Sequence, residues 1–222
     1  MPIASPLSQR RTVVALLLLT FATGLVDAIS VLVLGRVFVA NMTGNAIFLG
    51  FLFVPGTGFD LAAAIVAVGG FLLGAVIGGR LFRIFGEQRP RHWLTIALGI
   101  EAMLLLVLAA LAGLGVLSYY DSSKLLLIPG LSVAFGVQNS TARQFGIQEL
   151  YTTVLTSTIV GIGVDSRLAG GTGEREKLRY GVVFVMLIGA VIGATLTRIV
   201  VAPVIAMAGV VVLVSLALFR YG

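Results

Sequence analysis

The chain has 222 residues, of which 59% are apolar and only 11% are charged, whereas soluble proteins carry about 25% charged residues. Together with a mean hydropathy of +1.11, this composition excludes a water-soluble globular protein. The net charge of +6 would suggest nucleic acid as a partner of a soluble chain, but here basic loops that orient membrane spans explain it. The chain has no cysteine, which excludes disulfides and thiolate metal sites, and we expect no metal or cofactor.

Six apolar runs have the length of about 20 residues that a helix needs to cross a bilayer core. They predict membrane-spanning helices over residues 13–35, 61–81, 93–117, 125–142, 182–200 and 201–219. Two shorter apolar segments, residues 46–54 and 159–164, have a length that is typical of re-entrant or interfacial helices. We therefore predict an all-α integral membrane fold of six transmembrane helices and two short re-entrant or broken helices.

An internal duplication is indicated by the pentapeptide Gly-Ala-Val-Ile-Gly, which occurs at residues 74–78 and again at 189–193. Residues 24–30 resemble residues 136–142, and residues 37–50 resemble residues 150–163, in the same order and at nearly the same offset. These matches predict two homologous halves. The predicted organisation is an N-terminal segment 1–12 in the cytoplasm, a first half 13–118, a connecting loop 119–124 and a second half 125–222.

The short segments decide how the two halves are oriented. If they do not cross the membrane, each half crosses three times and the second half is inverted; if they cross, each half crosses four times and the halves are parallel. When Arg143 is left aside, three crossings place 11 Lys and Arg residues inside and 3 outside, whereas four crossings place 8 inside and 6 outside. The sequence therefore favours an inverted 3+3 repeat with both termini in the cytoplasm of a bacterial inner membrane.

Two carboxylates lie inside predicted spans, where a charge costs about 2.5–3.5 kcal/mol and is therefore a candidate for function. Asp27 lies well inside the first span, and we predict that it couples transport to a proton or cation. The alternative is that Asp27 only fixes helix packing through a buried polar partner. Its repeat mate is the uncharged Asn139. For Glu101 in the third span we expect a packing or interfacial role.

A second polar group lies near the end of the fourth span. Helical spacing brings Gln138, Asn139 and Arg143 close together, and they would form the wall opposite Asp27. Arg143 has two interpretations: a buried cation that binds a planar anion through its forked guanidinium, or an arginine that extends to the cytoplasmic interface.

Polar residues also open the two short helices. The first cluster comprises Asn41, Thr43, Gly44 and Asn45, and its mate in the second half comprises Thr153, Thr156 and Thr158. Such residues are common at helix N-termini because their oxygens accept hydrogen bonds from free backbone N–H groups. We predict two inverted half-helices whose positive ends point toward the midplane and bind substrate. The alternative is ordinary capping of interfacial helices.

Glycines spaced four residues apart let helices approach closely, and they are present at Gly70, Gly74 and Gly78 and again at Gly189 and Gly193. They predict helix packing, either within the chain or in a homodimer. The glycine-containing loop 170–173 lacks the lysine and the spacing of a phosphate-binding loop.

The blocks at residues 24–28, 37–45, 136–143 and 152–156 resemble the YoaK-like bacterial membrane proteins, a family labelled by a domain of unknown function. The most specific part is Asn-Met-Thr-Gly-Asn at residues 41–45, and one departure is Ser157, where the family more often has glycine. The resemblance implies a bacterial inner-membrane protein of about six spans, and it implies no substrate.

The function predicted from the residues is a transporter or facilitator for a small polar or anionic solute, with its site at the midplane between the inverted halves. The expected partners are the lipid bilayer, the solute and a coupling proton or cation, and no nucleic acid. A channel or a non-transporting membrane scaffold is the alternative. We expect no enzyme activity, because the sequence has neither a His-carboxylate metal set nor a glycine-flanked serine nucleophile.

Overall fold

A computed structural model describes residues 8–54, 56, 58–147 and 155–221. In these residues all regular structure is helical. The eight α-helices are α1 Gln9–Leu32, α2 Met42–Gly50, α3 Leu61–Leu81, α4 Pro90–Gly113, α5 Lys124–Arg143, α6 Leu155–Val164, α7 Glu176–Thr197 and α8 Ala202–Tyr221. A 3-10 turn (Phe51–Phe53) continues α2, a π turn (Phe82–Gly86) continues α3, and a second 3-10 turn (Arg167–Ala169) follows α6.

Six of these helices, α1, α3, α4, α5, α7 and α8, are long and apolar enough to cross a membrane, as predicted. The other two are too short. At about 1.5 Å per residue, the 9 residues of α2 and the 10 residues of α6 extend for about 14 and 15 Å, half of a hydrocarbon core of about 30 Å. The chain is therefore a membrane-spanning helical protein with two additional short helices.

The helix boundaries differ from the apolar runs at α1, α4 and α7, each of which begins three to six residues and ends three or four residues before the predicted bounds. Helix α1 is an example. The helix begins at Gln9, because a helix continues into the polar interface for as long as its backbone hydrogen bonds can be made. It ends at Leu32, three residues before the predicted end, because the chain turns at Gly35 and Arg36, both with a positive φ. Gly35 has a φ of 101°, which side chains rarely allow. In contrast, α3 has the predicted bounds Leu61–Leu81.

The long helices form a central group of α1, α4, α5 and α8, in which α4 packs on α5 and α8, and α1 packs on α8. The other two long helices flank this group crosswise: α3 of the first half packs on α5 of the second, and α7 of the second half packs on α1 of the first. Each short helix then packs on the flanking helix of its own half, α2 on α3 and α6 on α7.

Glycines allow the close contacts between flanking and central helices. A Cβ atom added to Gly74 would collide with the backbone of Val133 on α5, and one added to Gly193 would collide with the backbone of Leu25 on α1. The remaining predicted packing glycines also face backbone or side-chain atoms of the partner helix: Gly70, Gly78 and Gly189. All five are thus occupied within the chain, so a homodimer would have to use other residues.

At the end of the bundle where α1 ends, Asp60 links α3 to α5. Its carboxylate caps α3 by accepting from the backbone N–H of Ala63 at 3.0 Å, and it lies 2.7 Å from Nζ of Lys124 at the start of α5. Desolvation is the largest single contribution and raises the pKa of Asp60, but the hydrogen bonds from Lys124 and from backbone N–H groups, together with the charge of Lys124, outweigh it, and the net pKa is lowered. This ion pair joins the two halves at one membrane surface.

Candidate functional site

Asp27 is nearly buried, with 5% of its surface exposed, and it is bound by the segment between α1 and α2. Its Oδ1 accepts hydrogen bonds from the backbone N–H groups of Val39 and Ala40, each at 3.0 Å. Its Oδ2 accepts a hydrogen bond from the side-chain amide of Asn41. Both carboxylate oxygens are therefore engaged by neighbouring residues of the same half.

Asn45 on α2 holds the same segment from the other side. Its side chain is fully buried; Oδ1 accepts from the N–H of Phe38 at 2.9 Å, and Nδ2 donates to the carbonyl of Phe38 at 2.6 Å. Irregular backbone is tolerated at membrane depth only where its polar groups find protein partners. Asp27 and Asn45 provide such partners for residues 38–40, so together they form a clamp that fixes the start of α2 against α1.

Asn41 occupies the N-cap position of α2, but its side chain makes no capping hydrogen bond. The prediction that the Asn41 oxygen caps the helix is therefore wrong: its amide group donates to Asp27 instead. As a consequence, the N–H groups of the first turn of α2 are not satisfied by this side chain. Beside them, Thr43 is exposed, and Gly44 packs so closely on the ring of Phe38 that a Cβ atom would overlap with it.

The corresponding residues of the second half are only partly described. Thr153 lies outside the described residues. Thr156, the repeat mate of Thr43, is exposed like Thr43, and Thr158, the mate of Asn45, is buried like Asn45. The burial of the two polar clusters therefore follows the predicted repeat alignment at these positions.

Gln138 and Asn139 point to different neighbours. The side-chain amide of Asn139 donates to the carbonyl of Phe135 one turn earlier, at 2.9 Å. Gln138 is fully buried, and its Nε2 donates to Oγ1 of Thr23 on α1 at 2.9 Å and to the carbonyl of Leu19 at 3.4 Å. Gln138 thus joins the first helices of the two halves, a contact that the sequence did not predict.

Arg143 is exposed at the last residue of α5, and no ion pair joins it to Asp27. Of the two interpretations of Arg143, the structure favours the arginine at the membrane interface. The structure therefore brings together Asp27, Asn41 and Asn45, but it places Arg143 apart from them.

Sequence reasoning assigned no role to Thr23 and a packing or interfacial role to Glu101. Thr23 lies one helical turn before Asp27, so its position on the same helix was a usable signal. Glu101 is fully buried, and neither carboxyl oxygen has a hydrogen-bond partner among the described residues. Its type and depth were visible in the sequence, but its lack of partners was not.

No cluster of three or more His, Cys, Asp or Glu that could hold a metal ion occurs among the described residues. A cavity of about 540 Å³ lies where α1 and α7 end, lined in part by Leu32, Thr197 and Arg198. This cavity opens toward the same membrane surface as the Asp60–Lys124 ion pair and does not include the residues of the clamp.

Comparison with known proteins gives a family but no activity. A family described as "Protein of unknown function (DUF1275)" matches residues 15–218. The chain belongs to this family. A relative, the UPF0700 transmembrane protein YoaK of Bacillus subtilis (strain 168), is 34% identical over 160 residues, which cover 70% of this chain and 66% of the relative. The match therefore spans slightly less than two thirds of that relative's length. No solved structure matches the chain. The predicted YoaK-like membership of the DUF1275 family is thus confirmed.

Proposed function

We propose that this protein is a membrane transporter or facilitator for a small polar or anionic solute. The observation that carries this proposal is the start of α2. The clamp holds it beside Asp27, five residues before the end of α1, and the side chain of Asn41 caps none of the N–H groups of its first turn. The positive end of a half-helix at membrane depth is the feature that binds anionic groups in transporters with broken helices.

A re-entrant path for α2 is supported by the positions of its two ends. Gly35, just after α1, lies beside Asp60 and Lys124 at one membrane surface. The chain then returns to Asp27, about one and a half helical turns before the end of α1, and α2 leads it back to Asp60 at the start of α3. The chain thus enters and leaves the membrane on the same side.

An inverted repeat is supported by the packing of the helices. In an alignment of the two halves, α1 to α4 correspond to α5 to α8. The α1–α7 contact then corresponds to α5–α3, the α1–α8 contact to α5–α4, and the α2–α3 contact to α6–α7. All six contacts are present. Each half contributes three long helices. Two symmetric halves with an odd number of crossings must run in opposite directions.

The orientation follows from the distribution of the fifteen Lys and Arg residues. Three lie at the end of the bundle where α1 ends: Arg36, Lys124 and Arg198. The other twelve lie toward the opposite end, where the ring of Phe145 at the end of α5 contacts Trp93 and Phe219. Basic residues accumulate on the cytoplasmic side, so we place both termini in the cytoplasm of a bacterial inner membrane.

The proposed solute pathway runs past the first turns of the two short helices, α2 and α6. Thr43 and Thr156 are exposed at equivalent positions, and each offers a hydroxyl beside backbone N–H groups. Asn41 and Asn45 hold the α2 side in place. The partly buried Asn139 would lie on the opposite wall, whereas the fully buried Gln138 bonds to Thr23 instead. At the cytoplasmic end, Arg143 would attract anions. The same polar pathway would also serve a channel. A scaffold, in contrast, would not need an exposed hydroxyl in the first turn of either short helix.

The test is flux through purified protein in liposomes. Acetate and phosphate are offered as anionic probes, read as currents on a supported membrane, and glycerol as a neutral probe, read by light scattering. For a probe that passes, Thr43→Val should lower the flux about tenfold, since a hydrogen bond to a charged group contributes about 1.5–3 kcal/mol. Thr95→Val, at a threonine of α4 whose hydroxyl donates to the carbonyl of Arg91 in its own helix, is the matched control.

Flux of no probe above that of empty liposomes would support the scaffold instead. Equal flux through wild type and Thr43→Val would remove the α2 opening from the pathway. Accelerated exchange of labelled probe against unlabelled probe on the other side separates a transporter from a channel.

A further inference from the structure

Glu101 lies at the middle of α4, half-way between its ends at Pro90 and Gly113. It is fully buried, and both of its carboxyl oxygens lack a hydrogen-bond partner among the described residues. Asp27, the other carboxylate within a span, is bound by three donors. The two intramembrane carboxylates are therefore in opposite situations, and the function proposed above assigns no role to Glu101.

The register between α4 and α5 shows what lies at the level of Glu101. Near one end the rings of Trp93 and Phe145 are 6.1 Å apart, and near the other end Leu108 packs against Gly130. The two helices are antiparallel and stay in step between these contacts, which places Glu101 level with residues 137 and 138.

Gln138 faces the same core and has an unused acceptor. Its Nε2 donates to Thr23, but its Oε1 is buried and has no donor among the described residues. A buried acceptor without a donor destabilises the folded state, so two such groups at one level form an unusual pair. Both deficits would disappear together if Glu101 carried a proton and donated its O–H to Oε1 of Gln138.

The charged groups on the elements packed against α4 do not compensate an ionised Glu101. On α5, Lys124 and Arg143 lie at the two ends of the helix; on α8, Arg220 lies in the last turn. On α3 and the π turn that follows it, Arg80 and Arg83 are exposed near the cytoplasmic end. No cation on these elements is close to the middle of α4, and an ionised carboxylate without a partner at that depth is costly.

We propose that Glu101 and Gln138 form a proton-binding site in the centre of the group α1, α4, α5 and α8. This proposal rests on the proposed transport function and deepens it, because it names the coupling ion as a proton. In the closed core, Glu101 holds the proton and donates it toward Gln138. When the core opens to water on one side, the O–H bond breaks, the proton passes to water, and the carboxylate that remains is solvated. One proton is bound and one released in each cycle.

The experiment is infrared difference spectroscopy of the purified protein between acid and alkaline pH, without any solute. A protonated carboxylic acid in an apolar environment has a distinct C=O stretching band. We expect this band in the wild type, with its loss in Glu101→Gln and its retention in the matched variant Asp27→Asn. Gln138→Met should leave the band present but shift it, because the acceptor of the O–H is removed.

If Glu101→Gln does not fold, the wild type still decides the question through modification by a carbodiimide, which reacts with protonated carboxyls in apolar surroundings. Peptide mass spectrometry should find the adduct at Glu101. A band that survives Glu101→Gln, a band that is lost in Asp27→Asn, or an adduct confined to other carboxyls would overturn the proposal. Since these measurements need no solute, a band without any flux would contradict only the proposed function, and flux without a band only the proton site.

Discussion

At the scale of residues, Asp27 shows how a charge inside a membrane can be accommodated without a counterion. The backbone N–H groups of Val39 and Ala40 need acceptors because no water is present in the bilayer core, and the carboxylate needs donors for the same reason. Each group therefore removes the desolvation cost of the other.

Two substitutions of Asp27 should separate the contribution of its hydrogen bonds to stability from the contribution of its charge. Asp27→Asn keeps an oxygen for the two N–H groups and loses only part of the interaction with Asn41, so we expect the unfolding free energy to fall by about 1 kcal/mol. Asp27→Ala leaves all three donors without an acceptor and should lower it by about 3 kcal/mol or more. Thermal or denaturant unfolding in detergent measures both. Equal stability of the alanine variant and the wild type would show that the clamp does not fix α2.

The site could be predicted from the sequence only as far as residue type and depth allowed. The polar residues at 41–45 and the carboxylate at Asp27 were visible as exceptions in apolar segments, and the structure brings them together. The direction of each hydrogen bond was not visible, because the amide of Asn41 can cap its own helix or reach back to α1, and only the path of the loop decides between them.

At the scale of helices, the six long spans were predictable because about 20 apolar residues have few alternatives to a membrane helix. The partner of each helix was not. The glycines at positions 74 and 193 predicted close packing, but glycine spacing alone does not tell whether the partner is a helix of the same chain or of another. The crosswise arrangement, α3 on α5 and α7 on α1, needed the structure.

Two glycines of α3 provide a matched test of this packing. A Cβ atom at Gly74 would collide with the backbone of Val133, whereas one at Gly79 meets no atom within 4 Å. Gly74→Ala should therefore lower the unfolding free energy by about 1–3 kcal/mol, and Gly79→Ala should leave it unchanged or raise it slightly, because alanine favours helix. Melting in detergent gives the comparison. Similar melting of the two variants would mean that α3 does not pack on α5 through Gly74.

At the scale of the whole molecule, the distribution of charge and the two short helices lead to one topology. Because the chain has no cysteine, single cysteines can report it without background. Cysteine at Gly56 should react with a membrane-impermeant maleimide only from outside the cell, and cysteine at Gln88 only from inside; both positions are exposed. Labelling of Gly56 from the cytoplasm would mean that α2 crosses the membrane, and the inverted arrangement would then be wrong.

The crosswise packing also has a consequence for how the protein is made. Helix α1 leaves the ribosome long before α7, which begins roughly 140 residues after α1 ends. Helix α7 then packs on α1 through Gly189 and Gly193. At a synthesis rate of about 5–20 residues per second, this delay is on the order of 10 s. During that time the loop before α2 already supplies the hydrogen-bond donors of Asp27, which are Val39, Ala40 and Asn41. The clamp can thus form before α7 is synthesised. In a chain without the clamp, Asp27 would enter the membrane without hydrogen-bond donors before the synthesis of the second half is complete.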